Sequence, residues 1–222
     1  EPSLPPAVAT AQLREQQLPD IPGSVEVLPK EQAANSQDGA LSLLLRQSSA
    51  ITVSEWLPFA PEIVLRGASE MKLNSSSSAV VSVFWEDVPL EGMNPFSTML
   101  YDVKRVEVLK GPQSTLFGGG GVSGGAVRVV TEKPADKAGG YLLFGGGDFH
   151  SREVQSAVGF PVVKNRMNVR LAGMYAAREG YITNSSGGFL NGKKSMGGRV
   201  SAGIQPAWNL RLNLTASWQK ED

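Results

Sequence analysis

From Gly139 onward the chain alternates apolar and polar residues with a period of two, and this period restricts the possible folds more than any other feature. Asn209 to Gln219 is the clearest stretch. Leu210, Leu212, Leu214, Ala216 and Trp218 fall on one side of an extended backbone, and Asn209, Arg211, Asn213, Thr215, Ser217 and Gln219 on the other. Met167 to Arg178 repeats the pattern, with Met167, Val169, Leu171 and Tyr175 opposed by Asn168, Arg170 and Arg178. Val154, Val158 and Phe160 oppose Glu153 and Gln155, and Val200 and Ile204 oppose Arg199 and Gln205. A helix would scatter these residues around its axis, so the spacing predicts about five antiparallel strands.

A soluble sheet with one wet face gives this alternation, and so does a barrel wall with one face on lipid. The connections favour the second. Residues 161–166 and 206–209 read as tight turns, whereas 179–195 is a long, polar loop rich in Gly and Ser. Short turns at one end and long loops at the other is the outer-membrane arrangement, and Tyr175, Trp208 and Trp218 near strand ends would suit its aromatic girdles. No apolar run approaches the ~18 residues of a membrane helix, so a membrane crossing here must be made by strands. No basic-then-apolar leader stands at Glu1, as is also true of a mature secreted chain.

Composition narrows the chemistry. Lys plus Arg and Asp plus Glu are each 21, leaving no net field to attract nucleic acid. Cysteine is absent and His150 is the one histidine, which removes Cys-ligated metals, disulfides and Cys nucleophiles, leaves no partner for a His-based metal site, and makes a turn residue the plain reading of His150. No catalytic set, cofactor site or metal site is expected.

Before residue 139 the character differs. Residues 1–23 carry Pro2, Pro5, Pro6, Pro19 and Pro22 and read as an extended, flexible arm. Residues 24–134 mix short strand candidates (Val25 to Leu28, Ile63 to Arg66, Val80 to Trp85, Arg105 to Leu109, Ala126 to Thr131) with a helical stretch, Asp38 to Arg46, that puts Leu41, Leu44 and Leu45 on one face; this predicts a compact α+β domain. Residues 135–222 hold the alternating strands.

Two nucleotide-binding patterns fail on context. Gly119, Gly121 and Gly124 have dinucleotide-fold spacing, but the next segment, Ala126 to Val130, is β-rich, so no helix N-terminus is available for a pyrophosphate. Gly192-Lys193 is followed by Lys194 where a P-loop needs Ser or Thr.

The run from Arg105 through Glu107, Lys110-Gly111-Pro112-Gln113-Ser114-Thr115-Leu116-Phe117-Gly118, and on through Gly124-Gly125-Ala126 to Lys133-Pro134, resembles the signature of TonB-dependent receptor plugs. Val64-Leu65-Arg66-Gly67, Val83 to Leu90 and Ser24 to Leu28 resemble that family's Arg-Gly strand, its strand before a Val-Pro turn and its entry strand, so the likeness covers roughly residues 18 to 134. Asp87 stands where the family usually has glycine, and Lys110 where it usually has arginine, keeping the charge but losing bidentate pairing.

The resemblance implies an α+β plug domain followed by the first antiparallel strands of a transmembrane β-barrel of about 22 strands, for which the chain would be incomplete by roughly 290 residues. It implies a bacterial outer-membrane receptor, plug and N-terminus toward the periplasm, whose plug gates energy-coupled uptake of a ferric siderophore or similar scarce nutrient; the competing expectation is a non-transporting, soluble plug-like interaction or secretion module. The implied partners are TonB, the nutrient and outer-membrane lipid, with no nucleic acid. Val8, Ala9, Thr10 and Ala11 are the candidates for TonB contact, Arg66 and Lys110 for locking plug to barrel, and Met71, Asn74 and Phe96 for substrate contact. Gly67, Gly111, Pro112, Gly118, Gly124 and Gly125 are the candidate backbone-shaping positions of the plug motif.

Overall fold

The computed structural model describes residues 8–9, 16–17, 21, 23–29, 41–54, 62–67, 81–90, 98–112, 124–185, 187–207 and 209–221. The chain divides into two compact units, Glu1–Thr131 and Glu132–Asp222.

The first unit runs β1 (Val8–Ala9), β2 (Gln16–Gln17), β3 (Ser24–Pro29), α1 (Leu41–Leu45), β4 (Ile51–Ser54), β5 (Glu62–Leu65), β6 (Val81–Trp85), β7 (Val88–Pro89), β8 (Val103–Lys110) and β9 (Gly125–Thr131). Its main sheet has the order β3-β8-β9-β6-β7, with β6 parallel to β9 and the other pairs antiparallel. β8 and β9 are near-continuous runs of branched residues because both faces of the sheet centre are covered. Val106, Val108, Val127 and Val129 are fully buried on one face. On the other, Phe84, Leu109 and Ala126 cluster with Ala9 and Ile21 and are flanked by Val25 and Val27.

That cluster alters the expected arm. Residues 8–9 pair with 16–17 as a two-stranded ladder, and Ala9 and Ile21 are buried with the sheet, because apolar residues within a proline-rich stretch still gain by leaving water. In α1, Leu41, Leu44 and Leu45 are buried as their spacing predicts. β5 stops at Leu65, one residue before the expected end, since Arg66 (φ 53°) and Gly67 (φ 77°) turn the chain. β4 and β7 were not predicted: each is short, and neither Ile51-Thr52-Val53-Ser54 nor Val88-Pro89 carries a long enough alternation to register.

The second unit is one antiparallel sheet of order β10-β11-β12-β15-β16, formed by β10 (Gly139–Gly147), β11 (Ser151–Val163), β12 (Met167–Arg178), β15 (Lys193–Ala207) and β16 (Leu210–Glu221). A small hairpin, β13 (Ile182–Thr183) and β14 (Phe189–Leu190), lies inside the expected long loop, and β15 already begins at Lys193. β11 extends through Pro161 to Val163, so the expected 161–166 turn narrows to residues 164–166, with Asn165 at φ 60°. Proline has no N–H for the ladder, and both register shifts in this sheet, at Pro161/Val163 and Ile204/Ala207, fall at or around a proline.

Gly125 starts β9 at φ 149°, and a Cβ there would lie 2.3 Å from the Leu109 carbonyl oxygen and 2.4 Å from Leu65 Cδ2. Backbone cannot yield as a flexible side chain can. Gly125→Ala is therefore expected to destabilise the first unit by about 2–4 kcal/mol. Urea titration followed by protease sensitivity of the plug residues checks this, and an unchanged midpoint would contradict it.

Candidate functional site

The five-stranded sheet has its polarity reversed. Cross-strand register puts Val158, Leu171, Val200 and Ala216 in one row, and Phe160, Val169, Ala202 and Leu214 in the next row on the same face. This apolar face is the exposed one: Val200 is 51% accessible and Leu214 59%. The opposite face carries the rows Ala157-Ala172-Arg199-Ser217 and Gly159-Arg170-Ser201-Thr215. Here Ser195, Arg199 and Ser201 are buried, Arg199 to 3%, one residue away from Val200. Phe144 and Trp218 are exposed toward the end where β10 leads into β11 and β12 into β15, and Tyr175 shares their face. The long β12–β15 connection at that end, and the tight turns at the other, follow the pattern of a membrane-barrel wall.

In the first unit, the side chains that carry charge are built into the sheet. Val27, Glu107, Arg128 and Phe84 form one row across β3, β8, β9 and β6. Glu107 is 0% exposed and takes Arg105 Nε at 2.7 Å, with Arg128 Nη1 at 3.7 Å. Arg128 also donates from Nε to the Glu86 carbonyl at 2.9 Å and pairs with the Asp87 carboxylate. The Glu86 carboxylate accepts the Thr131 N–H at 2.8 Å and the Thr131 hydroxyl. At the β6–β7 turn, Glu86 takes the left-handed conformation, φ 58°, while Asp87 does not. Asp87 in place of the family's usual glycine thus leaves the turn intact and adds an acceptor for Arg128.

Lys110 ends β8 and pairs with Glu26 of β3 at 3.1 Å. Burial pushes the Glu26 carboxyl up, but the Ser49 N–H, the Ser48 hydroxyl and Lys110 together outweigh it and hold its pKa below the usual glutamate value. A depressed carboxylate pKa stabilises the fold above the unfolded-state value, and this contribution is lost as pH falls through the folded one. Arg66 is exposed in the turn after β5, with Nη1 4.0 Å from where a Cβ on Gly111 would stand. The structure thus gives Lys110 a carboxylate within its own unit and brings Arg66 alongside the Gly111 turn.

Of the remaining candidates, Gly67 and Gly111 have positive φ, 77° and 100°, Gly111 N–H bonds to the Gly124 carbonyl at 3.0 Å, and Pro112 is exposed. Val8 and Ala9 form β1. Thr10, Ala11, Met71, Asn74, Phe96, Gly118 and Trp208 lie outside the described residues, as do Gly119 and Gly121. His150 sits exposed in the β10–β11 turn with Nδ1 2.8 Å from Glu179 Oε2. Sequence reading missed the Arg105-Glu107-Arg128 set because those residues looked like alternation within a strand; opposite charges at 105 and 107 in one apolar strand, and a single arginine at 128 in the next, were the available signal.

Residues 17–125 match the TonB-dependent Receptor Plug Domain, so this stretch is a plug domain of the TonB-dependent receptor type. It is 29% identical over 153 residues to a pesticin receptor of Yersinia enterocolitica, a match covering 63% of this chain and 22% of the relative. The structure superposes on the ferric yersiniabactin uptake receptor of Yersinia pestis with a TM-score of 0.79 at 22% identity, covering 90% of this chain and 32% of that one. On the pyoverdine outer membrane receptor of Pseudomonas aeruginosa bound to pyoverdine the TM-score is 0.82 at 17% identity, covering 97% and 30%. The chain thus spans a third or less of these relatives' length. Its fold is a plug domain followed by antiparallel strands that match those receptors' barrels without closing one.

Glu107→Gln would leave Arg105 and Arg128 buried around a neutral amide, and is expected to destabilise the plug by about 3–5 kcal/mol. Asp87→Asn, at the exposed end of the same cluster, is expected to cost under about 1 kcal/mol. Urea midpoints of the two variants check this, and equal losses would contradict a cluster held together by burial.

Proposed function

We propose that this chain is the gating plug and first barrel strands of a bacterial outer-membrane receptor that takes up a ferric siderophore or a similar scarce nutrient with energy supplied through TonB. The observation that carries this reading is the reversed sheet: apolar rows through Val158, Leu171 and Val200 are exposed while Arg199 and Ser201 are buried. A soluble plug-like module would need the opposite polarity, so the same face weighs against that alternative. The relatives are receptors, and the ligands in their names include pyoverdine and ferric yersiniabactin. Iron already held by a siderophore asks for no ligand from the protein, which suits a chain without cysteine and with a single histidine.

In this reading the periplasmic arm couples to TonB by strand addition, in which main-chain hydrogen bonds supply most of the affinity. Val8 and Ala9 now use those groups on Gln16 and Gln17, and Ala9 contributes to the plug core, so engagement by TonB exchanges one strand partner for another. Val8, Ala9, Thr10 and Ala11 make that contact. Arg66 and Lys110 help to lock the plug in the barrel, and Met71, Asn74 and Phe96 meet the substrate.

Deleting residues 5–11 from the full-length receptor is expected to abolish energised uptake of the radiolabelled ferric complex while leaving its binding at the cell surface intact. Persistent uptake would move the coupling segment elsewhere or remove TonB from the account.

A further inference from the structure

At the end of β11, β12 and β15 that carries the long connection, a cavity of about 360 Å³ opens among Arg152, Arg178, Lys193, Lys194, His150 and Glu179. These are the three central strands of the sheet, flanked by β10 and β16, so its walls are complete within this unit. Four cationic side chains line it with one carboxylate, Glu179, which holds His150 Nδ1 at 2.8 Å; Lys193 is also paired outside the lining, with Glu221 at 3.2 Å.

The register fixes where this charge points. Arg152, Ala177 and Lys194 form one row, two residues beyond the row Val154-Tyr175-Met196 and on the same face as Val158, Leu171 and Val200. Arg152 and Lys194 therefore cap the exposed apolar face, while Arg178 and Lys193, paired one residue further along, stand on the opposite face at the same strand end. From Met167 to Ala177 the strand advances ten residues, which at about 3.3 Å each and a tilt of about 40° is a height of about 25 Å. An outward apolar band in such barrels is also about 25 Å tall, so the row meets the membrane surface just where hydrocarbon gives way to headgroups. Lys194 Nζ lies over the Tyr175 ring, 5.9 Å from its centre, so a cation and an aromatic meet at the end of the apolar face.

We propose that this cationic rim binds the phosphate of an anionic lipid headgroup, with the lipid's acyl chains lying against the apolar rows below. The proposal rests on the reading of these strands as a membrane wall. Guanidinium and ammonium groups from separate strands offer several donors to one phosphate, and the Arg152 guanidinium can add a paired hydrogen bond. A lipid fits better than a dissolved anion because Arg152 and Lys194 are continuous with the outward apolar face, and the polar face that a dissolved nutrient would meet is the opposite one.

The test uses the full-length receptor purified in neutral detergent and titrated with a diphosphorylated glycolipid of the lipid A type, bound lipid being counted by native mass spectrometry. The wild type is expected to retain this lipid at least tenfold more tightly than its dephosphorylated form, and Arg152→Gln/Lys194→Gln is expected to abolish the difference. Equal retention of the two lipids by the wild type, or an undiminished preference in the double variant, would overturn the proposal. So would inorganic phosphate displacing the lipid at equal concentration, which would assign the site to a soluble anion. Insertion into vesicles, followed by heat-modified gel mobility, is scored in parallel: a receptor that inserts but does not prefer the phosphorylated lipid refutes only this site, whereas one that does not insert refutes the membrane wall itself. Should the double variant not fold, the wild-type comparison of the two lipids decides the outcome.

Discussion

In the proposed reading, the interaction on which the rest of the second unit depends is the contact of its exposed apolar face with a medium that is not water. Burying a Val or Leu side chain is worth about 1.5–3 kcal/mol, so exposing Val158, Leu171, Val200, Leu212 and Leu214 together forfeits on the order of 10 kcal/mol in water. That is comparable to the whole stability of a typical domain, about 5–15 kcal/mol. Hydrocarbon removes this cost and imposes another, because no backbone donor or acceptor can then be left unpaired. The meander meets that condition along β11, β12 and β15, whose ladders are filled on both sides. Small residues on the inner face, such as Gly159, Ala172 and Gly197, leave room there beside the long side chains of Arg170 and Arg199.

The first unit solves a different problem. Its central strands are buried on both faces, which gives a one-residue slip between β8 and β9 little hydrophobic penalty, since valine faces both ways. Charge supplies the missing register. Glu107 stands directly across from Arg128 and two residues from Arg105, so a slip would strand all three charges in an apolar sheet. Lys110 and Glu26 repeat the device between β8 and β3. The sheet is thereby specified in both directions from β8, and Gly125 closes the β8–β9 end where no side chain can be accommodated.

Much of this was legible in the residues. The alternation from Asn209 to Gln219 gave the strand and its faces, because a period of two in an extended chain leaves no second geometry. Which face lies open was not legible: period two is the same for a soluble sheet and a lipid wall, and the accessibility of Val200 against that of Arg199 shows only that the apolar face is the open one. The plug strands were recognisable from their motif, but the buried partners of its charges were not, since Lys110 and Glu26 are distant in sequence and meet through the antiparallel pairing of β3 with β8. Burial of Ala9 was hidden for a related reason. Proline-rich composition reports the cost of regular structure locally and is silent on a single small side chain reaching a core.

The central claim is that one face of the second unit lies against hydrocarbon. These 222 residues hold no cysteine, so single cysteines can be introduced into them for spin labelling, in a receptor in which any cysteine elsewhere is replaced by serine. Labels placed one at a time at Val158, Leu171 and Val200, and at their inward neighbours Ala157, Ala172 and Arg199, would be read in the membrane-reconstituted receptor by relaxation with oxygen, which concentrates in lipid, and with a water-soluble nickel chelate. The account predicts that oxygen relaxes the first three labels preferentially and the second three weakly, alternating residue by residue. Strong relaxation of labels at 158, 171 and 200 by the nickel chelate would place that face in water and contradict the account.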